Sequence, residues 1–177
     1  MKTTAVLLGV AATAVLTVQR SLAGDCDALT TAWVKHLHTP HRTTMVVTEG
    51  GKDTTLQFIS LDGKIYIDRD NAPVWTVIAI PPDALEAMYR KSNIDEKETC
   101  RADGSETIDG KSFDIVATHR QSLKGAFDSR IWLSRATGML FKVEDDLPGG
   151  RREVSIYAFD NVVAPANSVP APPPPPP

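Results

Sequence analysis

Residues 24 to 163 predict an α+β domain: a curled antiparallel sheet that forms an open, incomplete β-barrel, with one to three helices covering its concave face. Three observations carry this expectation. About nine or ten short segments between Thr43 and Phe159 alternate apolar and polar residues, the period-two spacing of half-buried strands. Their connections are short and rich in Gly, Asp and Pro, the composition of hairpin turns and therefore of antiparallel neighbours. Helical patterns are too few to cover a flat sheet of that width, so the sheet has to curl around them.

The chain opens on a different pattern. Lys2 precedes an apolar run from Ala5 to Val18, and small residues follow at Ser21-Leu22-Ala23, the layout of a cleaved secretory signal peptide. The run is shorter than the roughly 20 residues of a transmembrane helix, and Gly24 and Asp25 stand between Ala23 and Cys26, where a lipid-anchored chain needs its cysteine at once. The expectation is a signal peptide over residues 1–23 and an exported chain, soluble in the periplasm and not membrane-spanning. Without Lys2 and Arg20 the rest carries 17 basic against 22 acidic residues, a net charge of −5. The basic residues are scattered, with Arg151-Arg152 the densest pair, so the stripe a nucleic-acid binder needs is missing.

Asp25 or Asp27 can cap a first helix whose apolar residues Leu29, Ala32, Trp33 and Leu37 share one face, and Thr39-Pro40 ends it. Cys26 lies three residues before Leu29 and points the same way. In an oxidising compartment a disulfide between Cys26 and Cys100 is the default reading, and it would pin that buried face to the element carrying Cys100. Strands follow at Thr43 to Glu49, Thr54 to Ser60, Lys64 to Asp68 and Val74 to Ile80. Pro81-Pro82-Asp83 opens a short helix with Leu85, Met88 and Tyr89 on one face, and a charged loop from Ser92 to Glu98 follows it.

The second half repeats the strand pattern at Thr99 to Asp103, Glu106 to Ile108, Lys111 to Arg120, Phe127 to Ser134, Gly138 to Asp145 and Arg151 to Phe159. Phe113, Ile115 and Ala117 oppose Asp114 and Thr118. Phe127, Ile131 and Leu133 oppose Asp128 and Arg130, and Met139, Phe141 and Val143 oppose Lys142 and Glu144. This alternation predicts one buried and one wet face. Six consecutive prolines close the chain. Residues 164–177 are accordingly expected to be a disordered Pro-rich tail that joins neither ladder nor helix, either a solvated spacer or a docking peptide for an aromatic groove.

Chemistry-bearing motifs are sparse. His36, His38 and His41 cluster at the end of the first helix and could in principle hold zinc, but in a helix His36 and His38 lie about 200° apart, so the expectation is a polar helix terminus and no metal. His119 stands alone near a strand end. No Gly-x-Ser-x-Gly elbow and no phosphate-cradling loop occurs, and the pairs Asp145-Asp146 and Asp95-Glu96 fall in segments read as turns and loops. No catalytic residue and no cofactor is expected, and the chain reads as a non-enzyme.

The order of elements, together with the run Trp132-Leu133-Ser134-Arg135-Ala136-Thr137-Gly138-Met139-Leu140-Phe141-Lys142 and the following Asp145 or Asp146, Gly149-Gly150 and strand Arg151 to Phe159, resembles the LolA-like periplasmic lipoprotein-carrier family. That resemblance implies an open one-sided β-barrel lined with apolar residues, which shields a lipid, an acyl chain or a lipoprotein segment without reacting with it. Trp33, Phe58, Trp75 and Met88 are the candidates for the cavity wall, because large apolar side chains in an open cavity present the patch a hydrophobic ligand covers. The other expected partner is a second envelope protein, bound by a module whose cavity has collapsed, as a sensor subunit or an inhibitor is.

Overall fold

The computed structural model describes residues 26–95, 97–122 and 125–172. The expected signal peptide and the last five prolines lie outside the described residues. After helix α1 (Asp27–Leu37) come β1 (His41–Glu49), β2 (Lys52–Leu61), β3 (Lys64–Arg69), β4 (Trp75–Ala79) and helix α2 (Pro82–Asp95). Then follow β5 (Lys97–Ile108), β6 (Lys111–Ser122), β7 (Gly125–Ser134), β8 (Leu140–Leu147), a short 3-10 turn at Pro148–Gly150, β9 (Arg151–Ala158) and β10 (Ser168–Pro170). One ten-stranded sheet runs in the order β10-β4-β3-β2-β1-β9-β8-β7-β6-β5. Its ends do not meet, so the curled sheet is an open barrel. Every pairing is antiparallel except β10 with β4.

Two meanders, β1–β4 and β5–β9, make up this order, and the pairing of β9 with β1 fuses them. Two-residue loops close the tightest hairpins. Asp62-Gly63 joins β2 to β3 and Asp109-Gly110 joins β5 to β6, each with both residues at positive φ, as a type I′ turn requires. Asp at the first position tolerates the left-handed region and Gly at the second enters it without steric cost.

α1 lies against the β6–β9 part of the concave face. Leu29 and Ala32 pack with Cys100, Val116, Ile131, Leu133, Leu140 and Val143, with Cys26, Trp33 and Tyr157 at the margin. The helix starts at Cys26 without a side-chain cap. The Cys26–Cys100 disulfide holds this end instead, with its Cα atoms 5.4 Å apart and the two cysteines 74 positions apart in the chain.

The expectation of one wet face needs correction. Register pairs Val116 with Ile131 and Ile115 with Trp132, so Phe113, Ile115 and Ala117 face away from α1 while Ile131 and Leu133 face it. Apolar residues are consecutive at Ile115-Val116 and at Ile131-Trp132-Leu133, so period-two counting cannot tell which set meets the helix. Both sets are buried: Ile115 is 5% exposed, Val116 4%, Ile131 3% and Trp132 2%. The register also shifts between Trp132 and Leu133, a bulge that turns Phe141 to the outer face, where it stacks on Phe113 at 4.4 Å. The outer cluster is covered by long polar side chains. Lys142 and Arg130 lie 4.5 and 5.0 Å from the Trp132 ring, and the indole N–H donates to Glu106 at 2.8 Å.

Four further expectations change. Thr99 to Asp103 and Glu106 to Ile108 form one strand interrupted by a bulge between Ala102 and Ser105, where Gly104 has φ 99°. The expected loop from Ser92 to Glu98 is largely taken up by the end of α2 and the start of β5. On α2, Leu85 and Tyr89 are half-buried but Met88 is 64% exposed, so it leaves the face assigned to it. The tail does enter the ladder: residues 159–167 carry the chain past β1, β2 and β3 to the free side of β4, where β10 pairs with Trp75–Val77. Proline is tolerated there because an edge strand needs donors on one side only.

Closing a loop of this length constrains the unfolded chain by about 4 kcal/mol in the chain-entropy picture. The double variant Cys26→Ala/Cys100→Ala should lose stability on that order, read as a lowered urea midpoint. An unchanged midpoint would mean that helix packing alone holds α1 in place.

Candidate ligand-binding face

Register continues the concave face from β9 across β1 to β4, and α1 meets its near margin where His36 packs on His41 of β1. Tyr157 of β9 packs against the α1 core and pairs with Thr43. From Thr43 the same face runs through Phe58, Ile67 and Thr76. Met45, Leu56, Ile65 and Ile78 belong to it by alternation. In this half Met45, Leu56, Phe58, Ile65, Ile67 and Ile78 are all only half-buried, whereas the core residues under α1 in the other half are buried. The outer face of β2 and β3 is better covered than the inner: Ile59 and Tyr66 are each 7% exposed. The result is an apolar concave surface on β2–β4 that is less covered than the part of the face under α1.

An aromatic cluster borders it where α1 ends. Trp33 lies 5.9 Å from Tyr89 of α2 and 6.3 Å from Tyr157. His36 meets His41 at 3.8 Å and Tyr157 at 4.7 Å, with Phe159 at 5.9 Å. His36 is 4% exposed, and its Nδ1 has no hydrogen-bond partner. Burial, followed by the neighbouring His41, lowers its pKa to about 3. Burial also lowers that of His41, although the hydrogen bond from its ring to the Thr39 carbonyl works against this. Of the three histidines at the expected polar helix terminus, His38 reaches a carboxylate, with its Nε2 2.7 Å from Glu86 of α2. Arg90 shares that carboxylate at 2.7 Å. Its hydrogen bond, then that of His38, holds the Glu86 carboxyl below its usual range. The three histidines do not converge on one point.

The other end of the concave face is polar. Arg120 pairs with Glu98 at 3.0 Å, and Ser129 donates to Asp145 at 2.5 Å. Burial raises the Asp145 pKa against the effect of the Ser129 hydrogen bond, with the nearby Glu153 adding to the rise. Asp145 thus sits in a strand and half-buried, not in the solvated turn expected for it. His119 is not alone either, since its Nδ1 lies 2.8 Å from Asp128. A depression of about 470 Å³ lies on the outer face. It is floored by Ala117 and flanked by the charged side chains of Arg101, Asp103, Asp128, Arg130 and Glu144. Among the described residues Cys26, Glu98 and Cys100 come within 4.8 Å of one another, but their sulfurs are spent on the disulfide.

The four residues expected to wall a cavity are thus divided. Trp33 and Phe58 lie on the concave side. Trp75 shares the outer face with Tyr66 and Val77, because Tyr66 pairs with Val77 and Thr76 with Ile67. Met88 points to solvent. Ile65, Ile67 and Ile78 were missed, although the alternation within β3 and β4 marks them once it is known which set faces inward. Among the described residues no helix is long and apolar enough to cross a membrane.

The buried imidazoles give stability a pH dependence. The unfolded chain takes up a proton at His36 near pH 6.5, while the folded chain refuses it until about pH 3. Stability is therefore full above pH 6.5 and falls as pH drops through that window, by about 2 kcal/mol between pH 6.5 and 5 for one such group. His36→Phe should flatten that part of the urea-midpoint profile; a profile unchanged in slope would place the proton elsewhere.

No family model matches the sequence, and no curated protein does. Among solved structures, the chain is similar to the lipoprotein LppX of Mycobacterium tuberculosis at 14% identity and TM-score 0.46, covering 78% of this chain and 100% of that one. The MucA/MucB complex of Pseudomonas aeruginosa is similar at 16% identity and TM-score 0.45, covering 79% of this chain; the match spans 60% of that one. A LolA superfamily protein from Nitrosomonas europaea is similar at 6% identity and TM-score 0.29, over 77% of this chain and 92% of that one.

Proposed function

We propose that this is an exported, non-catalytic binding protein of the cell envelope that holds an apolar ligand, a lipid, acyl chain or lipidated segment, against the concave face of β1–β4. One observation carries the reading. The same face is buried under α1 on β6–β8 and left half-exposed on β2–β4, where Leu56, Phe58, Ile65, Ile67 and Ile78 form an apolar surface. Covering such a surface gains about 25 cal/mol per Å² removed from water, with no reacting group required. Ser129 and Asp145, a hydrogen-bonded hydroxyl and carboxylate on this face, lie at its polar end beyond β1 and β9.

A second reading, a module that docks another envelope protein, is favoured by the outer depression, where charged side chains and not aliphatic ones surround the concavity. The two readings use opposite faces of the sheet and separate cleanly by mutation.

Native mass spectrometry of protein purified from the envelope without detergent, followed by organic extraction, should show an adduct of lipid mass. Phe58→Ser and Ile67→Ser should each weaken uptake about tenfold, the loss of roughly one buried apolar side chain. Ile156→Ser, on the opposite face and 46% exposed, should not. A clean apo mass after incubation with envelope lipids would sink the carrier reading. A partner captured by the wild type and lost on Asp128→Arg would then establish the second.

A further inference from the structure

We propose that the outer edge of β4 is a docking site for an extended, uncharged peptide segment of a partner protein, held in the resting chain by its own β10 as a displaceable placeholder. This inference uses the edge of the sheet and is independent of the concave face. An open sheet has two edges that can accept a further strand. The β5 edge is defended by charged residues at Glu98, Arg101, Asp103 and Glu106 and by the bulge at Gly104, devices that discourage pairing. The β4 edge has neither: Trp75-Thr76-Val77-Ile78-Ala79 contains no charge.

What covers that edge is minimal. β10 is three residues long, and all three are exposed. Beside its short ladder, the Trp75 N–H donates to the Asn167 carbonyl at 2.9 Å and the Ala171 N–H donates to the Val77 carbonyl at 2.9 Å. Val169 is 50% exposed, so little apolar burial supports these backbone bonds. Residues that bond β4 are therefore 167 and 171, and by alternation 169, which leaves Pro170 facing outward where a further strand would seek a donor. Proline has none, so β10 covers the edge and also stops the sheet from growing past it.

The bound segment states the chemistry of the occupant. From Val162 to the end the chain carries no charged residue, and it lies parallel to β4 in an extended conformation. A partner segment of the same kind, extended, uncharged and able to offer alternate N–H groups, gains main-chain hydrogen bonds by strand addition. It has to outcompete a tethered copy whose effective concentration is in the millimolar range. A longer partner strand can do so because β10 uses only three of the five residues β4 offers.

The test is a titration of the isotope-labelled chain with a synthetic peptide of residues 165–172, read by amide shifts. A chain shortened to end at Ala164 should bind the peptide, with shifts centred on residues 75–79, and the full chain should bind it at least about tenfold more weakly. Ala171→Pro in the full chain removes one of the bonds to β4 at a surface position, and should bind more tightly than the unmodified chain if the shortened one fails to fold. A folded shortened chain, or a folded Ala171→Pro chain, showing no shifts at residues 75–79 would overturn the proposal. So would a shortened chain that dimerises and ignores the peptide, which would make a second copy the occupant.

Discussion

An 11-residue helix has to serve a sheet of ten strands, and the dimensions do not match. A helix of this length is about 16 Å long and about 10 Å across with its side chains, while ten strands about 4.8 Å apart span roughly 43 Å, so a helix that packs on β5–β9 cannot also cover β2–β4. α1 is committed to the β6–β9 half by Leu29 and Ala32 and by the bond from Cys26 to Cys100. That commitment decides where the rest of the concave face is left uncovered, and hence where an apolar ligand could sit. α2 joins the arrangement through Glu86, shared by His38 and Arg90, and through the ring contact of Tyr89 with Trp33.

The sheet is unusual in being buried on both sides where it is widest. On the outer face Trp132 is shielded by Arg130, Lys142 and Glu106, whose stems and charges do the work of an apolar layer. Long cationic side chains can lie over an aromatic ring while keeping their heads in water. Such a cover leaves the outer surface polar, which explains why the depression beside it is lined by charge. The two faces of one sheet thus acquire opposite characters, aliphatic where it is open inside and ionic where it is open outside.

Much of the architecture was legible in the residues. The alternation of β1 to β4 and β6 to β9, the turns at Asp62-Gly63 and Asp109-Gly110, and the helix carrying Leu29, Ala32 and Trp33 are local patterns, and local patterns survive folding. The inward and outward assignment in β6 was not legible, because Ile115 and Val116 are both apolar and a shift of one residue exchanges the faces. Nor could spacing foresee the bulge that sends Phe141 outward, or the burial of His36 against Tyr157 and Phe159, which lie more than 100 residues away in the chain. Trp75 and Met88 failed as wall residues for a related reason: size and apolarity mark a side chain for burial or contact, but not on which side.

The sequence by itself determined the class of fold, the order of elements and the pair of cysteines, because these follow from periodicity, turn chemistry and redox chemistry along the chain. Only the tertiary structure decided that β9 pairs with β1, that the proline-containing segment returns to β4, and that the half-exposed aliphatic surface lies on β2–β4. Each of these depends on which distant residues come into register, and register is set by the packing of whole elements and not by any window of sequence.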